Sequence, residues 1–232
     1  MGGDSIYNGA EDNASGVASL LAVASGFAAA GQRPRRSILF LATTAAEAGR
    51  LGSQAYVANP SVPIERIVAV VNVDRASVRG ATRDVVGLGL PESGLGPYLE
   101  QAAAAERLVV ASDPDPTAGW FYRSDHIPFA MVGIPTLLLR PGTSVLEQAD
   151  EWGIQEEHRY VFERYHRPSD ELSDTWDYDG MLQEVRLLIR LAWTLAEGDE
   201  FPTWTADSEF GSAAQQLRLR RMRQSGGQIE RH

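Results

Sequence analysis

Four short apolar runs constrain this chain most: "SILFLATT" (37–44), "IERIVAVVNVD" (64–74), "VVGLGL" (85–90) and "IPTLLLRPG" (134–142). Near-continuous Val, Ile and Leu without alternation marks strands covered on both faces, as in a parallel sheet flanked by helices. None approaches the roughly 20 apolar residues that a membrane-crossing helix needs. The stretches between them carry helical spacing, so the order of elements predicts an α/β fold with a largely parallel, doubly wound sheet.

The helices read as follows. Val17, Leu20, Leu21, Ala24 and Phe27 recur on one face between Asn13 and Ala30, with Asp12 or Asn13 as the cap. A short helix is expected over 54–58, another over "GPYLEQAAAAE" (96–106), and one at "SDHIPFAMVG" capped by Ser124 or Asp125. "LVVA" (108–111) adds a strand. Residues 141–176 form a long, charged, aromatic connection with little periodicity, which loop-length statistics mark as functional or disordered. "DGMLQEVRLLIRLAWTLAE" is an amphipathic helix that closes a domain over residues 1–200. The first ten residues read as a loop, and a tail over 201–232 carries a basic helix, "AAQQLRLRRMRQ", with a frayed end.

Composition removes several chemistries. There is no cysteine, so thiol nucleophiles, disulfides and thiolate metal sites are excluded. All 21 basic residues are arginine, which excludes lysine Schiff bases and a P-loop lysine. A net charge of -10 argues against a nucleic-acid partner. "GLGLPESG" does not fit a dinucleotide-binding glycine pattern.

In doubly wound sheets, ligands bind at the carboxyl ends of the strands. Asp74 ends one strand, Glu47 follows another, Asp12 precedes a helix, and His166 lies in the long connection. Three carboxylates and an imidazole at element boundaries suit a Zn²⁺ site with mixed oxygen and nitrogen ligands. Each also has a plain structural alternative: Asp12 as a helix cap, Glu47 and Asp74 as solvated turn residues, His166 as a loop residue. His158, in "EEHRY", reads as a surface loop residue.

"NGAEDNASGVASLL", "TTAAEAGRLGS", "VVNVD", "SDHIPFAMVGIPTLLL" and "YHRPSDEL" together resemble the ordered motifs of metallopeptidase family 28, the co-catalytic dizinc exopeptidases, over residues 4–198. The resemblance implies a three-layer fold, a mostly parallel mixed sheet sandwiched between helices. It also implies two zinc ions and hydrolysis of a peptide's N-terminal bond by activated water. By position, Asp12 would bridge the metals, Glu47 and His166 would complete one site, and Asp74 would help to hold the other. Tyr165 matches a position where relatives stabilise the oxyanion. Ser124–His126 match a segment that lines the cleft. A secreted or periplasmic location is implied too, although the opening "MGGDSIYNGAEDN" has neither the charged nor the apolar region of a signal peptide.

Two departures from the family pattern stand out. The motif carries two adjacent glutamates, a general base followed by a zinc ligand; here the pair is Ala46-Glu47, so the base is missing. The first zinc histidine belongs in a His-x-Asp motif upstream of "DNASG", and the eleven residues before Asp12 contain none; His126, His158 and His232 do not match it. The resemblance therefore implies a chain that lacks at least one N-terminal strand, keeps one zinc or none, and acts poorly on its peptide substrate. A non-catalytic metal-binding or interaction module on the same scaffold is the competing expectation. A glutaminyl-cyclase-like reading needs an aspartate-rich network that the residues do not supply.

Overall fold

The computed structural model describes residues 6–90 and 92–229. Residues 1–5 of the expected opening loop and the chain end from 230, with His232, lie outside them.

The sheet has four strands, β1 (Val70–Val73), β2 (Asp84–Leu88), β3 (Val109–Ala111) and β4 (Thr136–Pro141), in the order β1-β4-β2-β3. β1 and β4 pair in parallel, as do β2 and β3, while β2 and β4 run antiparallel. This is the mixed sheet expected, assembled from four of the apolar runs.

The two faces of β4 explain the layers, because successive side chains point to opposite sides. Leu137 and Leu139 join Val85 in the larger core under α1 (Gly16–Ala29), α3 (Gly96–Ala105) and α6 (Asp179–Glu197), where Leu99, Leu187 and Leu191 are fully buried. Leu138 turns the other way, with Val86 and Leu88, toward Trp120 and Phe121. On that side lie α2 (Leu51–Ala58), α4 (Ile127–Met131), α5 (Trp152–Glu163) and α7 (Gly211–Ile229). Leu217 of α7 is buried with Phe129 and Ile134, and the Trp204 indole N–H donates to the Ile134 carbonyl (2.9 Å).

Three local expectations are corrected. Residues 37–44 have no ladder pairing among the described residues. Phe40 and Leu41 pack inward, but Leu39 is half exposed, so the two-sided burial that stabilises a central strand is missing. The connection 141–176 contains a helix, α5, whose inward face carries Glu157 and Tyr160 rather than aliphatic residues. His158 accordingly sits on that helix and not in a loop. At α4, neither Ser124 nor Asp125 caps through its side chain; His126 occupies the cap position and is buried.

Candidate metal centre and adjoining cleft

Asp12 stands in an irregular helical turn, Ala10–Ser15, where Asp12 and Asn13 leave helical geometry. Asn13 performs the capping. Its Oδ1 accepts the N–H groups of Gly16 (3.1 Å) and Arg75 (2.9 Å), and its Nδ2 donates to the Val73 carbonyl (3.2 Å). Those bonds tie the start of α1 to the end of β1, and so bring Asp12 beside Asp74. Gly16 is required there: a Cβ would lie 2.0 Å from Asn13 Oδ1. Asp12 is thereby freed from the capping alternative.

Glu47 rides on the loop before α2. That loop is pinned by Asp125, whose two oxygens accept the Thr43 (2.8 Å) and Ser53 (2.5 Å) hydroxyls. Gly52 lets the chain fold back, since a Cβ would meet Thr44 N at 2.6 Å. His166 follows α5 with a positive φ of 56°, a strained conformation of the kind that clusters at functional sites. Tyr165 stacks on its ring at 3.8 Å between centroids and meets Trp120 edge-on at 5.5 Å.

The structure brings three of these residues into contact. His166 Nε2 lies 3.1 Å from Glu47 Oε2 and 3.4 Å from Asp12 Oδ2. Asp74, Ala46, Tyr165, Ser124 and Arg123 line the same cleft. Asp125 and His126 do not: Asp125 is spent on the loop, and His126 is enclosed against Phe121 (4.7 Å), where burial lowers its pKa to about 3. Among the described residues no three or more His, Asp or Glu side chains form a coordination shell. What exists is two contacts that share one imidazole nitrogen.

The electrostatics of the cleft follow from burial. Desolvation raises the Asp12 pKa to about 6, helped by the negative charge of Asp74 and opposed by Arg75 and His166. The Tyr165 hydroxyl is raised by burial and by Asp12 and Glu47, with Arg123 hydrogen-bonded to it and pulling the other way.

Two features escaped the sequence. Asp170, in the same "YHRPSDEL" stretch as His166, is buried, and its oxygens accept the backbone N–H groups of Glu11 and Asp12 (2.9 Å each). It couples the His166 segment to the Asp12 turn, and its place four residues after the histidine was the available signal. The second is a buried ion cluster beside the cleft. Glu157 bonds Arg75 (2.6 Å) through one oxygen and Arg140 (2.5 Å) through the other, while Glu11 meets Arg79 (2.8 Å) and Arg75 (3.7 Å). Burial opposes the charge on Glu157, but Arg75 and Arg140 outweigh it and hold the pKa at about 2.

A mixed sheet between helix layers, with Asp12, Glu47, Asp74 and His166 lining one cleft, defines an α/β fold with a charged site beside β1. The Peptidase family M28 model matches residues 2–191, and the chain belongs to that family. It is 29% identical over 211 residues to leupeptin-inactivating enzyme 1 of Streptomyces exfoliatus, covering 86% of this chain and 45% of that protein. Among solved structures it resembles an aminopeptidase from Aneurinibacillus sp. strain AM-1 (TM-score 0.57, 23% identity, 86% of this chain, 42% of that one). It also resembles the LapA aminopeptidase of Legionella pneumophila (TM-score 0.60, 22% identity, 83% and 48%). At these identities the structural likeness concerns the fold alone. The chain spans less than half the length of each of these relatives.

Proposed function

We propose that this chain is a metal-dependent, aminopeptidase-like exopeptidase by descent that holds one zinc ion through Asp12, Glu47 and His166, and that its hydrolysis of peptides is weak. The observation that carries the reading is the meeting of Glu47 and Asp12 on His166 Nε2 at 3.1 and 3.4 Å. Ligand atoms about 2.1 Å from a tetrahedral zinc ion lie about 3.4 Å from one another, so each of these two spacings suits a ligand pair, and the shell closes only when the metal draws the three side chains together. Asp74 lines the same cleft and acts on Asp12, and among the described residues the cleft holds no histidine besides His166.

When bound, zinc supplies Lewis-acid polarisation of a carbonyl and acidifies water. The chain's own residues do the rest. Tyr165, hydrogen-bonded to Arg123, presents a donor at the cleft edge where a substrate carbonyl oxygen would rest. Asp170 fixes the backbone of the Asp12 turn. Position 46 faces the cleft but, as alanine, has nothing to accept a proton from water. Loss of a general base costs about 10²–10⁴ in rate.

That same alanine favours a second reading, in which the cleft binds a peptide end without cleaving it. Hydrolysis of leucine p-nitroanilide with added Zn²⁺ separates the two. The expected result is turnover at least about a hundredfold below intact relatives, with little recovered in Ala46→Glu because a metal-site histidine is still missing. Turnover equal to theirs would contradict impairment, and no detectable turnover in a chain that still retains zinc would favour the binding module.

A further inference from the structure

The two flanks of the sheet are finished differently. At one edge, β3 is three residues long and runs on into Asp113-Pro114-Asp115-Pro116. A short strand followed by charge and proline discourages pairing with another chain. At the other flank lie residues 37–43, "SILFLAT", with no charge, proline or glycine. Phe40 packs into the larger core, and Leu41 into the one that holds Phe129 and Ile134 beside Ile67 and Val70. Consecutive side chains on opposite sides are the mark of a strand lying in the plane of the sheet, here on the β1 side. Yet among the described residues none forms a hydrogen bond with the backbone N–H or C=O groups of 37–43. An uncharged apolar edge with open backbone groups is a template for strand pairing.

The helix over that flank leaves an apolar ridge beside it. α1 sets Val23 into the larger core and turns Gly26 toward α6, where a Cβ would lie 2.7 Å from Ile189 Cδ1. At about 100° per residue, Val17 and Leu21 stand on the side turned away from α6. They are 43% and 63% exposed, and Leu39 below them is 50% exposed. The apolar stripe expected between Asn13 and Ala30 is therefore covered only in part, and its bare end lies on the same flank as the open strand.

We propose that this flank is an interface between two copies of the chain, joined about a two-fold axis with residues 37–43 paired antiparallel across it. The surface answers itself. With the axis at Phe40, Leu39 of one copy falls opposite Leu41 of the other, an apolar cross-strand pair. The same rotation keeps both α1 helices on one side of the joined sheet, with Val17 and Leu21 facing their counterparts. Such an isologous contact closes at two copies. Because 37–43 carries no charge, like charges do not meet at the axis. Seven residues at about 3.4 Å give an edge about 24 Å long, and layers stacked about 10 Å apart make the flank roughly 20–25 Å deep. About 500–600 Å² per copy is then covered, at the lower bound for a specific interface, so the dimer is weak.

Sedimentation velocity of the purified chain from about 1 to 100 μM reads the association directly, and a monomer–dimer equilibrium with a dissociation constant on the order of 10 μM is expected. Hydrogen exchange of alternate amides within 37–43 should slow at the higher concentration. Leu21→Glu and Leu39→Glu, both at exposed positions, should each raise the dissociation constant at least about tenfold. Val109→Glu, on the exposed β3 edge at the other side of the sheet, should leave it unchanged. A monomer at about 100 μM, an open-ended series of larger species, or a dimer that Val109→Glu breaks and Leu21→Glu does not would overturn the inference. None of these readouts involves peptide or metal, so the peptide-site reading stands or falls separately.

Discussion

Two neighbouring groups of charges in this protein are built oppositely. In the cluster that walls the cleft, Glu157 and Glu11 are each bracketed by arginines, and the protein supplies its own counter-charges. In the cleft, Asp12 lies beside Asp74 and Glu47 with a single imidazole between them, and burial with the Asp74 charge raises the Asp12 pKa to about 6. Carboxylates serve both places, yet in the first they are ion-paired to guanidiniums, and in the second Asp12 and Glu47 share a single imidazole nitrogen. The difference teaches that buried acidic residues alone do not mark a cation site; the cleft is set apart because Asp12 and Glu47 meet the His166 imidazole directly, while Arg75, Arg123 and Arg140 only line it. Arg75 is where the two meet, since it pairs with Glu157 in the wall and also acts on Asp12 in the cleft.

The largest expected effect comes from breaking the wall. Glu157→Ala strands Arg75 and Arg140 in the interior, and removing one partner of such a pair costs about 3–5 kcal/mol. Urea unfolding should show a loss of that order; a change within about 0.5 kcal/mol would mean that the cluster is solvated and the contrast with the cleft is false.

A second carboxyl sharpens the comparison because burial outweighs the Ser77 N–H and the more distant charge of Arg75 that act against it. Glu184 is buried, accepts the Ser77 N–H (3.1 Å), and has its pKa raised by burial to about 8. The native state holds a proton there that the unfolded chain releases near pH 4.5. The unfolded state therefore binds fewer protons between those values, and stability falls as pH rises through about 8. Glu184→Gln keeps an acceptor for Ser77 and removes the titration. Unfolding measured from pH 5 to 9 should show a flatter profile and a gain of about 2–4 kcal/mol at the alkaline end. An unchanged slope would place the alkaline loss elsewhere.

The smallest expected effect is on the cleft. Asp12→Asn removes one of the facing negative charges, so the metal-free protein should keep its stability within about 1 kcal/mol while zinc binding is lost. A large destabilisation without metal would show that Asp12 is a structural residue of the same kind as Glu157.

Much of this was readable in the residues. The strands β1 to β4 came from apolar runs, α6 from its stripe, and the meeting of Asp12, Glu47 and His166 from ordered motifs. What escaped depended on partners far along the chain. Helix α5 was hidden because its inner face is charged, and its partners, Arg75 and Arg140, lie on other elements. Asp170 was missed, despite standing four residues after His166, because it bonds backbone N–H groups more than 150 residues away. Residues 37–44 read as a central strand because composition reports apolarity but not how many sides are covered.

The central claim is tested most directly by titrating zinc into the metal-free chain and into His166→Ala, with bound metal counted after dialysis. About one zinc per chain, lost in the variant, is the expected result. No zinc retained by the unaltered chain, or equal retention by the variant, would contradict it.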